Sequence, residues 1–273
     1  MTINSTTSLY CVLGDPVTHS LSPAMHNSAF LHTGYNGAYV AFNVKDIGAA
    51  ITGIRALNIK GISITIPHKL TVMEYLDEID ETAKKIGAVN TILNKDGRLH
   101  GFNTDCLGAT NALLEKTKIK NKDVVLVGAG GAARAIGFGI LAEGGRLTIV
   151  NILEDEGEQL AKDLGVKYYP LSYFKNLDCN IMINATPLGM TPDIDKMAVE
   201  PEHITRDMVV MDIVYNPLKT RLLKEADKKG CVTVDGVSMF VHQGVAQFEM
   251  WTGKKAPVEI MRKTVLRNGD EIS

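Results

Sequence analysis

The stretch SITIPHK, Ser63 to Lys69, puts an ammonium group where a sheet could use it. Ile62, Ile64 and Ile66 alternate with Ser63 and Thr65, the period of a half-buried strand. Pro67 has no N–H to give to a ladder and stops the strand. Lys69 then falls just past the carboxyl end, on the side of Thr65, and at that edge open α/β sheets bind ligands. A lysine so placed is either a solvated surface charge or a group that stabilises a developing oxyanion and gives it a proton.

Other polar residues sit at comparable boundaries. In GDPVTHSLSPAMHN, Ser20 and Ser22 precede a helix that opens at Pro23. Paired hydroxyls and a helix N-terminus suit a small carboxylate, although Ser22 reads equally well as an ordinary N-cap. Ser20 has no such job. His19 and His26 read as satisfied structural histidines before they read as ligands. Asn90 in GAVNT and Asp105 in GFNTD offer an amide and a carboxylate fit for a polyhydroxylated ligand; an Asx turn and an N-cap are the competing readings. Tyr215 in DIVYNPLKT falls at a strand end, and Gln243 in DGVSMFVHQG lies one helical turn past Met239.

A second chemistry is written in VVLVGAGGAARA. Gly128, Gly130 and Ala133 fit G-x-G-x-x-A between an apolar strand and a helix. The first glycine permits the tight turn, the second lets the backbone approach a pyrophosphate, and the alanine lets helix and strand pack closely. The helix N-terminus adds free N–H groups and a positive dipole end. The alternative is a glycine-rich turn used only for packing. The next strand ends TIVNILEDE, with Asn151, Ile152 and Leu153 followed by Glu154 and Asp155. No cation stands there for a ribose 2′-phosphate, which taken alone favours NAD or a relaxed preference.

The elements that must position these residues follow from the pattern. LYCVL, AYVAFNV and GISITI read as strands, with helices over SPAMHNSAFLHTG and DIGAAITGIRALN between them. HKLTVMEYLDEIDETAKKIGA reads as one or two helices ending near Gly87, and VNTILN-KDG-RLHGF as a hairpin turning at Asp96-Gly97. This predicts a mostly parallel sheet with an antiparallel excursion. From about Asp105 a second α/β pattern begins: a helix, the glycine-rich strand–turn–helix, a helix over Glu154–Leu164, strands at NIMINAT and DMVVMDIVY, a helix over PLKTRLLKEADKKG and the strand CVTVD. Two helices broken by TGKKAP close the chain, from Ser238 to about Arg267.

Composition bounds the function class. The 273 residues are 45% hydrophobic and 22% charged, with net charge −2, which is ordinary for a globular protein and leaves no basic footprint for nucleic acid or a membrane surface. No signal peptide is visible, and no apolar run approaches the roughly 18 residues of a membrane span. Cys11, Cys106, Cys179 and Cys231 are scattered in apolar settings and read as buried reduced thiols, which points to the cytoplasm. The histidines show no metal-binding spacing, and no metal is expected.

Together GDPVTHSLSPAMHN, SITIPHK, GAVNT, GFNTD, GAGGAARA, NATPLGM, DIVYNPLKT and DGVSMFVHQG resemble the shikimate dehydrogenase family, in its order and over nearly the whole chain. The resemblance implies a two-domain α/β protein: a substrate-binding catalytic domain over 1–104, an inserted Rossmann dinucleotide-binding domain over 105–237, and helices over 238–273 that return to the first, with the active site in a cleft. It implies reversible reduction of 3-dehydroshikimate to shikimate in aromatic amino-acid biosynthesis, by a monomer or homodimer.

By matching motifs, the resemblance gives Ser20 and Ser22 the substrate carboxylate, and Thr65, Lys69, Asn90, Asp105 and Gln243 the ring hydroxyls, with Tyr215 close by. Gly128, Ala129, Gly130, Gly131 and Ala132 would cradle the pyrophosphate, Asn151 would mark the ribose, and Ile213 and Gly236 would line the nicotinamide. Glu81 matches a position associated with the cofactor in relatives. Lys69 would protonate the alkoxide that hydride transfer leaves, paired with Asp105. NADP is the family's usual cofactor, but its Asn-Arg-Thr motif here reads Asn151-Ile152-Leu153, so NAD should also serve.

Two other readings remain. An NAD-dependent quinate/shikimate dehydrogenase often has threonine where Ser22 stands. A non-catalytic shikimate-binding regulator would not need Lys69 with Asp105, and no added DNA-binding segment is expected. A folate-linked dehydrogenase of similar architecture does not suit the serine pair and NATPLGM.

Overall fold

The computed structural model describes residues 3–272. The chain divides into two compact units, one holding the chain up to Thr104 together with Gln243–Asn268, the other Asp105–His242 with the chain from Gly269.

The first unit is built from β1 (Ser8–Gly14), α1 (Ser22–Thr33), β2 (Gly37–Asn43), α2 (Ile47–Leu57), β3 (Gly61–Ile64), β4 (Glu78–Ile79), α3 (Glu81–Ile86), β5 (Thr91–Lys95) and β6 (Arg98–Phe102). Its sheet runs β2-β1-β3-β5-β6-β4. β1 is parallel to β2 and β3, β5 is antiparallel to β3 and β6, and β4 is parallel to β6. Ile47, Ile51 and Ile54, one face of α2, close over Cys11, Leu13, Ile62, Ile64 and Ile92. Asp46 caps α2 by accepting from Ala49 N at 3.0 Å, and Asn58 ends it in the left-handed region at φ 54°. Asp96 and Gly97, both at positive φ, make the expected hairpin turn.

Several sequence expectations for this unit need correction. The strand GISITI stops at Ile64, and Ile66 is 62% exposed. His68 N–H bonds back to Thr65 O at 3.0 Å, so the chain turns before Ile66 can join the ladder. Nor is β3 half-buried: all of it is covered, Ser63 included. Helix α1 takes Leu21 as its N-cap, and Ser22 is its first residue. The segment expected to be helical before Gly87 breaks into a 3-10 turn over Thr71–Tyr75, then β4, then α3. Glu78 and Ile79 pair with His100 and Gly101, and Asp80 caps α3 through Thr82 N at 2.9 Å, so sheet extension wins over helix continuity.

The second unit contains α4 (Asp105–Leu114), β7 (Asp123–Val127), α5 (Gly131–Ala142), β8 (Arg146–Asn151), α6 (Glu154–Leu164), β9 (Lys167–Pro170), β10 (Ile181–Asn184), β11 (Val209–Asp212), α7 (Arg221–Lys228) and β12 (Val232–Val234). Helix α8 (Gly236–Thr252) begins here and passes into the first unit, and α9 (Val258–Ile272) follows. The sheet is wholly parallel, ordered β12-β11-β10-β7-β8-β9. Alternate residues are buried on opposite faces: Leu126, Ile149, Ile183 and Met211 meet Ile136 and Ile140 of α5, while Val125, Val150, Met182 and Val210 meet Leu222 and Leu223 of α7. Burial on both faces is what a parallel sheet requires. The order reverses between β7 and β10, the switch point at which such sheets bind ligands. Strand β9 was not foreseen; KYYP is a short edge strand that ends in proline.

Candidate functional sites in the two units

In the second unit the glycine-rich turn leaves β7 at the switch point. Gly128 has φ 115°, and a Cβ there would lie 3.1 Å from Ala185 O and from Thr186 Cγ2. No other residue type suits that position. Ala129 follows, Gly130 is the N-cap of α5 and faces open space, and Gly131 and Ala132 form the first turn, whose N–H groups have no partner within the helix. Ala133 is fully buried against the sheet. Gly130 is exposed and Gly131 and Ala132 are part-buried, so the turn offers backbone donors at a helix N-terminus, which fits a pyrophosphate.

At the end of β8, Asn151 is buried and its Nδ2 donates to Leu153 O at 2.9 Å. Ile152 and Leu153 are 66% and 58% exposed. Glu154, Asp155 and Glu156 occupy the first turn of α6. Arg134, a cation on the neighbouring helix, is held by Asp163 at 2.7 Å. The apolar pair and the acids thus stand together in the turn that leaves β8.

At the other end of the sheet's carboxyl edge lie Ile213, Tyr215 and Gly236. A Cβ on Gly236 would be 2.5 Å from Ile213 O, so that strand exit rests on the first residue of α8. The Tyr215 ring stacks on Phe240, with centroids 4.5 Å apart. Sequence reasoning missed Asp212 and Asn184, which end β11 and β10 and are both fully buried. The signal was a carboxylate and an amide closing otherwise apolar strands. Asp105, also buried, is the first residue of α4, where a carboxylate suits the helix dipole.

In the first unit the functional candidates share one sheet edge. The carboxyl ends of β1, β3 and β6 and the amino end of β5 lie together there, because β5 is antiparallel to its neighbours. A Cβ on Gly14 would fall 2.3 Å from Thr65 Cγ2, so the loop bearing Ser20 and the turn bearing Lys69 start side by side. Asp15 N bonds Ile66 O at 2.9 Å, and Val89 N bonds Lys69 O at 2.8 Å. Lys69 and Thr65 are part-buried, and Ser22 is buried. Ser20 does have a local job: its Oγ accepts from Ser22 N at 3.3 Å.

Asn90 does not make an Asx turn. Its Oδ1 accepts from Thr104 N at 2.7 Å and from Thr91 Oγ1 at 2.7 Å, clasping the chain just before Asp105. Gln247, not foreseen, donates to Thr91 Oγ1 at 2.9 Å and accepts from Ser63 Oγ at 2.9 Å, and Tyr39 OH donates to Ser63 Oγ at 2.7 Å. Trp251 Nε1 donates to Ile92 O at 3.0 Å. Helix α8 therefore runs against β3 and β5, and Gln243, one turn before Gln247 on the same face, is buried toward the edge of Thr65. A second glutamine four positions after Gln243, on the same helix face, was the available signal for Gln247.

Among the described residues His26 is the exception to buried side-chain hydrogen-bond satisfaction: it is 0% exposed and neither ring nitrogen has a partner. It stacks on Tyr39 at 4.6 Å. Burial lowers its pKa to about 3; Gln247 approaches and pulls the other way without reaching bonding geometry. The cysteines are free thiols, with Cys11 and Cys231 buried and Cys106 and Cys179 only partly so. Burial pushes Cys11 and Cys179 up to about 12 and Cys106 to about 11, Asp105 and Glu143 adding to the last. Glu81 opens α3 and pairs with Lys84 at 2.7 Å. Among the described residues no group of potential ligands for a metal ion assembles, and no helix is long and apolar enough to cross a membrane.

Comparison with known proteins shows the family and the fold. Residues 12–92 match the family described as shikimate dehydrogenase substrate binding domain, and residues 236–266 match the shikimate 5'-dehydrogenase C-terminal domain. The shikimate dehydrogenase (NADP(+)) of Methanocaldococcus jannaschii is 45% identical over 277 residues, covering 97% of this chain and 98% of the relative. A crystal structure of a shikimate dehydrogenase in complex with NADP+ is similar with a TM-score of 0.94 and 43% identity, covering 100% of this chain and 98% of that one. A shikimate 5-dehydrogenase from Listeria monocytogenes, in complex with shikimate and NAD, gives a TM-score of 0.87 at 34% identity, with 96% and 98% covered.

Proposed function

The chain belongs to the shikimate dehydrogenase family, and from that premise we propose that it interconverts 3-dehydroshikimate and shikimate with NADP, NAD also serving. The observation that supports this most is the 45% identity across 97% of the chain. The dinucleotide, when bound, supplies or accepts the hydride.

Every other part falls to residues of this chain. Ser20 and Ser22 hold the substrate carboxylate, with the N-terminus of α1 behind them. Thr65, Asn90 and Gln243 hold ring hydroxyls, and Tyr215 flanks the ring. Lys69 donates a proton to the carbonyl oxygen as it becomes an alkoxide, and in the reverse direction accepts it. Asp105 orients the adjacent hydroxyl for that transfer. Gly128 to Ala132 receive the pyrophosphate, and Ile213 and Gly236 form the backbone beside the nicotinamide. The turn after β8 accepts a bare ribose hydroxyl at least as readily as a phosphate, because Ile152 and Leu153 supply no charge and Arg134 is held by Asp163. We read the reaction as cytoplasmic, a reading that the four free thiols support.

The test is shikimate oxidation followed by nicotinamide absorbance, run with NADP+ and with NAD+. Reduction of both, with kcat/KM values within about tenfold of each other, is the expected result. Shikimate binding without reduction of either would favour a non-catalytic role instead.

A further inference from the structure

Three segments at the carboxyl edge of the second sheet converge on one side chain. Asp212 is 0% exposed. Its Oδ1 accepts from Asn184 Nδ2 at 3.0 Å and Val214 N at 3.1 Å, and its Oδ2 accepts from Thr220 Oγ1 at 2.7 Å. Asn184 Oδ1 in turn takes Thr186 N at 3.1 Å and Thr186 Oγ1 at 2.6 Å, and Thr186 Oγ1 takes Leu188 N at 3.2 Å.

These segments lean on the cofactor turn. Ala185 O and Thr186 Cγ2 lie 3.1 Å from where a Cβ on Gly128 would be, and Ile213 O lies 2.5 Å from the corresponding point on Gly236. The carboxylate therefore links the exits of β10 and β11 to the backbone on which both glycines rest. Its bonded donors are all neutral. Burial pushes the carboxyl up to about 6, against the pull of Thr220, Val214 and Asn184. A charge kept there lowers stability relative to an uncharged side chain of the same shape, and such groups concentrate at functional sites.

We propose that Asp212 is a positioning residue for the dinucleotide: its carboxylate fixes the exits of β10 and β11 and so holds the backbone around Gly128, Ile213 and Gly236 in the shape that receives the cofactor. The inference rests on the reading of this unit as a dinucleotide site. Asp212 acts through its neighbours and is outside the proton-transfer machinery.

The experiment measures NADP+ dissociation by calorimetry on the full chain without substrate, then KM for shikimate and the thermal midpoint at pH 7.5. Asp212→Ala removes all three bonds, and NADP+ affinity should fall about tenfold or more while KM for shikimate moves less than about threefold. Thr220→Val removes one bond and should weaken NADP+ by about threefold, and it decides the matter if Asp212→Ala does not fold. Asp212→Asn keeps an acceptor toward Asn184 and Val214 and turns a donor to Thr220. It should recover NADP+ affinity to within about threefold and raise the thermal midpoint, because no charge is then buried.

Unchanged NADP+ affinity in Asp212→Ala and Thr220→Val would overturn the inference, as would equal losses toward shikimate and NADP+. A parent protein that binds neither NADP+ nor NAD+ would sink the functional reading as well.

Discussion

His26 shows how little a single residue's type says about its environment. A histidine within the first helix suggested a satisfied structural group, yet the ring is sealed among Tyr39, Phe30 and Trp251 with both nitrogens unpaired. Each buried nitrogen without a partner costs about 1–3 kcal/mol. His26→Phe keeps the stacking and removes the unmet nitrogens, so it should raise stability at pH 7 by roughly 1–2 kcal/mol, read by urea unfolding. The pH dependence follows from a folded-state pKa depressed to about 3. The neutral ring's contribution is complete above the unfolded value near 6.5 and is lost as pH falls toward 3, so the variant's advantage should widen on acidification. Asp212 runs the other way: its folded pKa is raised to about 6, so its contribution is complete below the usual carboxylate value and lost as pH rises through 6. An advantage for His26→Phe that shrank between pH 6.5 and pH 4 would contradict this account of the ring.

At the scale of elements, the proposed function makes the turn between β8 and α6 the one that sets cofactor choice. The strand ends at Asn151, the acids of Glu154–Glu156 stabilise the start of α6 as first-turn carboxylates do, and the exposed pair Ile152–Leu153 joins them. Ile152→Arg would place a guanidinium where a 2′-phosphate needs one, and the ratio of kcat/KM for NADP+ over NAD+ should rise by about tenfold or more. An unchanged ratio would show that this turn does not reach the ribose. Such local features were legible because glycine, capping and charge patterns act over a few residues: the Gly128 turn, the Asp96-Gly97 hairpin and the span of α6 all stand where the pattern placed them. Features decided by tertiary contact were not. Nothing within KYYP says that it pairs with β8, and nothing within SITIPHK says that a turn will take Ile66 out of the ladder or that α8 will cover Ser63.

At the scale of the whole molecule, the chain completes its first unit only at its end. Helix α8 starts on the second unit at Gly236 and finishes against β3 and β5 through Gln247 and Trp251. The motif order suggested that return, but the buried polar chain from Tyr39 through Ser63 and Gln247 to Thr91 and Asn90 links residues up to 184 positions apart and leaves no periodic trace. That chain anchors Asn90 beside the turn of Lys69, whose carbonyl receives Val89 N. The central claim, that Lys69 moves the proton, is tested most directly by Lys69→Ala in steady-state shikimate oxidation. The account predicts a kcat lower by about 10²–10⁴ with KM for shikimate within a few-fold of the parent. A kcat equal to the parent's at unchanged KM would contradict it.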